Sequence, residues 1–206
     1  MMSKYIRPYF LDPMARLAHW LHQRGVTPNA VTVAGFVLTL LSTVMIGMGI
    51  LSWGGLVLWA ASMFDILDGA LARYANKVSK FGAFLDSTLD RYSESITVLG
   101  LAFYFAYEPG RETEILLIFL TLIGSWMVSY TRARAEGLGI ECKVGLLQRP
   151  ERLTILITGL LLNVVLPALW IALWLLAILT NVTAFQRIYE VYTQTGRLPG
   201  KRTVGD

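Results

Sequence analysis

Four aspartates, Asp65, Asp68, Asp86 and Asp90, crowd into one short stretch of a chain that is otherwise 55% apolar. The stretch reads FDILDGALARYANKVSKFGAFLDSTLDRY, residues 64–92. On a helix turning about 100° per residue, Asp65, Asp68, Gly69 and Ala72 fall on one narrow face. Gly82, Asp86 and Asp90 recur every fourth residue and form a second stripe of the same kind. A hairpin around Asn76–Ser79 sets the stripes opposite each other. Each stripe puts carboxylates beside residues with little or no side chain, so the expected result is a cavity floored by oxygen ligands. Carboxylates that face one cavity repel each other unless a cation is present. An oxygen-only set without Cys or His favours a hard divalent ion, Mg²⁺ first and Mn²⁺ second. Magnesium keeps open positions for phosphate oxygens, which points to a phosphate-bearing substrate. Mere pairing of the acids with Arg73, Lys77, Lys80 and Arg91 would explain one such residue, but explains poorly four at helical spacing with glycines on the same faces.

The elements that must position these acids are membrane helices. Apolar runs at Val31–Leu51, Leu56–Phe64, Ile96–Tyr107, Ile115–Val128 and Leu153–Phe185 are long and almost free of charge, as a bilayer interior requires. The fold class expected is all-α: a polytopic membrane protein of six transmembrane helices, roughly 30–50, 53–75, 79–107, 112–137, 149–166 and 168–190. Gly47, Gly49, Gly54 and Gly55 punctuate the first turn, Glu108-Pro109-Gly110 breaks the chain before the fourth helix, and Asn163 with Pro167 separates the last two. Thr27-Pro28-Asn29 reads as a helix entry. Ahead of it, DPMARLAHWLHQR (12–24) places Met14, Leu17, Ala18 and Leu21 on one face. This suits an amphipathic helix in the interface with Trp20 at headgroup level, or equally a helix packed on the bundle. His19 and His22 lie in this segment and are poor candidates for catalysis. The expected organisation is an N-terminal cytoplasmic segment at 1–29, a six-helix membrane domain at 30–192 and a cytoplasmic tail at 193–206.

Basic residues fall almost wholly on one side of this layout. Lys4, Arg7, Arg16 and Arg24 precede the first span; Arg73, Lys77 and Lys80 join the second and third; Arg197, Lys201 and Arg202 end the chain. Arg91 and Arg187 sit at helix ends towards that side, and Arg111 stands opposite among Glu108, Glu112 and Glu114. Positive-inside asymmetry then makes both termini and the aspartate connection cytoplasmic in a multi-pass cell-membrane protein. The net charge of +4 is absorbed by this topology, and no nucleic-acid partner is expected. Cys142 is the single cysteine, so no disulfide or cysteine-based metal site is expected. The opening ten residues, with Lys4, Arg7 and Pro8, lack the apolar core of a cleavable signal.

A second informative stretch is VSYTRARAEGLGIECKVGLLQRPERL, residues 128–153. It gathers Arg132, Arg134, Lys143, Arg149 and Arg152 around one cytoplasmic connection near the mouth of the aspartate cavity. Arginine forks suit a phosphate dianion, so the second substrate is expected to carry a phosphate of its own. Some of these cations also serve topology or anionic membrane lipids.

The pattern Asp65-x2-Asp68-Gly69-x2-Ala72-Arg73-x8-Gly82-x3-Asp86-x3-Asp90 resembles the complete signature of the CDP-alcohol phosphotransferases. The resemblance implies displacement of CMP from a CDP-linked lipid by an alcohol. It assigns Asp65, Asp68, Asp86 and Asp90 to metal binding, with Asp90 also the general base. Asp65, Asp68, Gly69, Ala72, Arg73 and Gly82 would contact the CDP-lipid. Ser129-Tyr130-x-Arg132-Ala133-Arg134-Ala135-Glu136-Gly137, followed by Gly145-x3-Arg149-Pro150-Glu151-Arg152-Leu153, is similar to the branch that makes phosphatidylinositol phosphate or archaetidylinositol phosphate. In that branch Arg132, Arg149 and Arg152, with Arg134 nearby, would grip the phosphate of inositol 1-phosphate. Two positions depart from it: a lysine is usual where Arg132 stands, and an acid where Gln148 stands. The resemblance further implies a homodimer. Glycerol 3-phosphate as the acceptor remains an alternative, since its phosphate would also want arginines. A divalent-cation transporter is a remote one, because the acids cluster at one membrane face. A purely structural protein leaves both acid-and-glycine stripes unexplained.

Overall fold

The computed structural model describes residues 14–196, and every regular element among them is helical. The cations Lys4, Arg7, Arg197, Lys201 and Arg202, and the tail beyond residue 196, lie outside the described residues. Seven helices follow in order: α1 (14–23), α2 (Pro28–Gly47), α3 (Leu51–Tyr74), α4 (Lys80–Ala106), α5 (Glu112–Gly137), α6 (Arg149–Leu162) and α7 (Ala168–Gly196). The last runs four residues into the expected tail, and α6 stops four residues short of its expected end. There Asn163 closes α6, and its side chain accepts from the Leu169 amide at 3.3 Å in the first turn of α7.

Four helices, α2, α3, α5 and α7, are long and apolar enough to cross a membrane. The other two expected spans fall outside that length and hydropathy measure for physical reasons. α4 has the length, but Lys80, Asp86, Asp90, Arg91 and Glu94 occupy its first half. α6 has 14 residues, about 21 Å of helix against a hydrocarbon core of about 30 Å.

The described residues form two compact units, the first ending at Tyr104 and the second beginning at Phe105. In the first, the expected helix entry is present: Thr27 is extended and accepts from the Ala30 amide, with Pro28 opening α2. α2 then packs along α3. Gly35 makes the close approach possible, since a Cβ there would stand 2.8 Å from the Cβ of Phe64. Gly100 does the same for α4 against α2, where a Cβ would meet the Thr43 carbonyl oxygen at 2.8 Å. The α2–α3 turn centres on Gly49, at φ +80°, whereas Gly54 and Gly55 lie buried inside α3. Asn76, at φ +51°, ends α3, and the Lys77 amide reaches back to the Ala72 carbonyl at 3.0 Å. Ser79 then caps α4 by accepting from the Gly82 amide at 3.0 Å. Met14, Ala18 and Leu21 of α1 pack against Val31, Leu67 and Leu71, with Leu17 and Trp20 exposed.

In the second unit α7 packs against both α5 and α6. The Asn181 side chain donates to the Leu120 carbonyl at 3.0 Å, fixing α5 to α7 inside the apolar bundle.

Candidate active site

The turn between α3 and α4 brings part of each acid stripe to one cavity of about 340 Å³ in the first unit, a size found among small-molecule sites. From α3 it is lined by Asp68, Gly69, Ala72 and Arg73, and from α4 by Gly82, Ala83 and Asp86. Pro28, Asn29 and Thr32 of α2 and the turn residues Lys77–Ser79 complete it. Six of the signature positions read from the sequence therefore share one wall system.

Asp68 is the buried carboxylate of the cavity wall, at 6% exposure. The Thr32 hydroxyl donates to its Oδ2 at 2.6 Å, and the charges of Asp86 and Asp65 both act on it. A buried carboxylate facing two like charges is a group that a cation would stabilise. Asp65 lies one turn earlier on α3, and Asp90 one turn beyond Asp86 on α4; neither lines the cavity itself. Asp90 is 3.8 Å from Arg91. Among the described residues no group of three or more His, Cys, Asp or Glu stands close enough together, as placed, to hold a metal ion. The donor chemistry is nevertheless uniform: the cavity wall offers carboxylate, hydroxyl and amide oxygens and no sulfur or imidazole, which fits a hard divalent ion.

The small residues leave the room expected of them. A Cβ on Gly82 would stand 3.1 Å from the Ser79 Oγ and 3.3 Å from the Asn29 Oδ1. Above Gly69 the occupant is the chain's own Arg73, whose Nη1 would be 3.3 Å from an added Cβ. Arg73 is exposed and its long stem has several rotatable bonds, so its fork has room to move over whatever enters beside Gly69.

The arginines belong to the second unit and differ sharply in setting. Arg132 is exposed and pairs with Glu136 at 2.8 Å. Arg134 is also exposed, and Arg149 is half-buried at the first position of α6. Arg152 is 4% exposed and donates to the Leu147 carbonyl at 3.4 Å. Arg187 of α7, 3% exposed, feels the charges of Arg132 and Arg152 and donates to the carbonyls of Val144, at 2.9 Å, and Val128. Arg187 thus lies within electrostatic reach of both Arg132 and Arg152, with Glu136 as a counter-charge, and two of the three guanidinium groups are buried, a setting that favours a bound anion.

Sequence reasoning missed Thr32, Asn29 and Lys77 in the cavity and placed Arg187 only as a topology marker. Asn29 and Thr32 had a signal, being polar, three apart and immediately after the helix entry. Arg187 had one too, as the first charge after the apolar run that ends at Phe185.

Known proteins resemble the chain at every level. The family described as CDP-alcohol phosphatidyltransferase matches residues 25–185. Archaetidylinositol phosphate synthase of Pyrococcus horikoshii is 42% identical over 191 residues, covering 92% of this chain and 96% of its own. A crystal structure of Mycobacterium tuberculosis phosphatidylinositol phosphate synthase with CDP-DAG bound superposes with a TM-score of 0.85 at 33% identity, covering 92% of this chain and 98% of that one. A second structure of the mycobacterial protein, in complex with manganese and citrate, gives a TM-score of 0.86 at 33% identity over 94% and 95% of the two chains.

Proposed function

The chain belongs to the CDP-alcohol phosphatidyltransferase family, and from that premise we propose that it displaces CMP from a CDP-lipid with the hydroxyl of inositol 1-phosphate. The product is phosphatidylinositol phosphate or its archaeal ether-lipid equivalent. One observation carries the reading: Asp68, Gly69, Ala72 and Arg73 of α3 and Gly82 and Asp86 of α4 line a single cavity. The 42% identity to an archaetidylinositol phosphate synthase and the match to a structure holding CDP-DAG support the choice of donor and acceptor.

The reaction exchanges the phosphoanhydride bond of the donor for a phosphoester to the acceptor. The acceptor oxygen bonds to the lipid-side phosphorus, the bond from that phosphorus to the CMP oxygen breaks, and CMP leaves with the electron pair. Asp90 takes the hydroxyl proton as the nucleophile attacks. Asp65, Asp68, Asp86 and Asp90 would hold a divalent cation, Mg²⁺ ahead of Mn²⁺, which would supply charge neutralisation for the diphosphate and for the departing CMP. Thr32 keeps the Asp68 carboxylate in place through its 2.6 Å hydrogen bond. Gly69, Ala72 and Gly82 let the nucleotide lie close to the helix backbones, and Arg73 contacts phosphate. Arg132, Arg149 and Arg152, with Arg134 and Arg187 beside them, hold the acceptor phosphate.

In this reading α2–α7 all span the membrane, with α1 in the interface. The site and both termini face the cytoplasm, and two copies form a homodimer with one site each. The organisation is then a segment at 1–29, a membrane domain at 30–192 and a tail at 193–206. The test is an acceptor panel. Purified protein in lipid nanodiscs receives CDP-lipid and Mg²⁺ with inositol 1-phosphate, glycerol 3-phosphate or neither, and CMP release is measured. Release dependent on inositol 1-phosphate is expected. Release with glycerol 3-phosphate alone would replace the acceptor, and no release with either would remove the assignment.

A further inference from the structure

The connection between α5 and α6, residues 138–148, has no regular secondary structure, yet it is laid along α7 by a series of specific bonds. The Leu147 amide donates to the Thr183 Oγ1 at 3.1 Å, and the Leu146 amide to the Gln186 Oε1 at 3.2 Å. Arg187 Nε donates to the Val144 carbonyl at 2.9 Å, and Gln194 Nε2 to the Glu141 carbonyl at 3.0 Å. Thr183, Gln186, Arg187 and Gln194 lie on one face of α7 at helical spacing. The strap meets that face closely at Gly145, whose φ of +140° no other residue adopts easily. A Cβ at Gly145 would stand 2.6 Å from the Thr183 Cγ2. Leu147 is then the middle of a relay. Its amide is held by Thr183, and its carbonyl accepts from Arg152, one of the arginines assigned to the acceptor phosphate.

We infer that Thr183 and Gln186 are positioning residues for the acceptor: they hold the α5–α6 strap on α7 and through it fix where Arg152 presents its guanidinium. The inference rests on the acceptor reading above and adds residues that touch no substrate. Thr183 is fully buried, and its own hydroxyl hydrogen goes to the Leu179 carbonyl at 2.7 Å. It therefore offers the Leu147 amide a lone pair of fixed direction. Without that acceptor the amide is left buried and unpaired, and the strap lifts to satisfy it. The chain carries its own reporter, because Cys142, the single cysteine, lies within the strap and is 1% exposed.

The experiment compares Thr183→Val with Thr183→Ser, and Gln186→Leu with Gln186→Glu, in the full chain. Initial rates give KM for inositol 1-phosphate and for CDP-lipid separately, and maleimide labelling of Cys142 follows the strap independently of turnover. Thr183→Val and Gln186→Leu are expected to raise the acceptor KM about fivefold to tenfold, as losing one such bond implies, and to speed Cys142 labelling. The donor KM stays within twofold, and the Ser and Glu variants, which keep the accepting oxygen, behave as wild type. Gln186 is partly exposed, so Gln186→Leu reads the effect even if Thr183→Val does not fold. Faster labelling with an unchanged acceptor KM, or equal rises in both KM values, would overturn the inference. Arg152→Ala run alongside separates the two claims. If it leaves the acceptor KM unmoved, the acceptor reading fails and the inference with it; if it raises that KM while Thr183→Val and Gln186→Leu do not, only the strap inference fails.

Discussion

Replacing Thr32 by valine removes one hydroxyl from the floor of the donor cavity and almost nothing else. The two side chains match in shape, and the position is 7% exposed, so no new space opens to water. What is lost is a 3.1 Å contact to the Pro28 carbonyl and, chiefly, the 2.6 Å bond to Asp68 Oδ2, made to a carboxylate that is itself 6% exposed and faces the charges of Asp86 and Asp65. A hydrogen bond to a charged group contributes about 1.5–3 kcal/mol. At about 1.4 kcal/mol per factor of ten, that corresponds to roughly a 10-fold to 150-fold change in an equilibrium constant. The loss should fall on the ligand that needs Asp68 oriented, namely the divalent cation and the donor diphosphate it accompanies. The assay is CMP release against Mg²⁺ concentration at saturating acceptor, in wild type, Thr32→Val and Thr32→Ser. Thr32→Val should need at least tenfold more Mg²⁺ for half-maximal rate, with Thr32→Ser close to wild type. Superimposable Mg²⁺ curves for all three proteins would refute the role given to Thr32 and weaken that of Asp68.

Asp90→Asn should lower turnover by about 10²-fold to 10⁴-fold, the range of a lost general base, while CDP-lipid binding measured by titration changes little; a matching loss of donor affinity would move Asp90 from proton transfer to binding. Gly69→Ala and Gly35→Ala should separate function from fold. At Gly69 the new methyl meets only the movable end of Arg73, so the protein stays folded and the donor KM rises. At Gly35 it meets the Phe64 Cβ at 2.8 Å, so α2 and α3 must part, at a cost of about 1–3 kcal/mol visible as a lower denaturation midpoint. Arg152→Ala should raise the acceptor KM and leave the donor KM alone, and steady-state kinetics with each substrate varied in turn would show the opposite split if Arg152 served the diphosphate.

The acid stripes were legible because helical period alone assigns Asp65, Asp68, Gly69 and Ala72 to one face and Gly82, Asp86 and Asp90 to another. The hairpin between them was legible because Asn tolerates the left-handed backbone that ends α3. Thr32 was not, since a threonine in an apolar helix normally bonds to its own backbone, and its partner Asp68 is 36 residues away. The strap was hidden for the same reason: its bonds to α7 join residues 36 to 53 apart, and no local pattern records them. Span counting fared unevenly. α2, α3, α5 and α7 carry the hydropathy of membrane helices, whereas the carboxylates that give α4 its chemistry lower its apolar signal. The arginines were legible as a group, but not their ranking: exposed Arg132 and buried Arg152 look alike in sequence, and Arg187 reads as a helix end.

The central claim is that Asp68 of α3 and Asp86 of α4, with Asp65 and Asp90 one turn away, hold a cation at the cavity that receives the donor diphosphate. An experimental structure of the protein soaked with Mn²⁺ and CDP-lipid, read by anomalous scattering at the manganese edge, tests it most directly. The account predicts an anomalous peak ligated by oxygens of Asp65, Asp68 and Asp86, with Asp90 beside it and the diphosphate over Gly69. A manganese peak away from these carboxylates, or a donor diphosphate seated elsewhere, would contradict it.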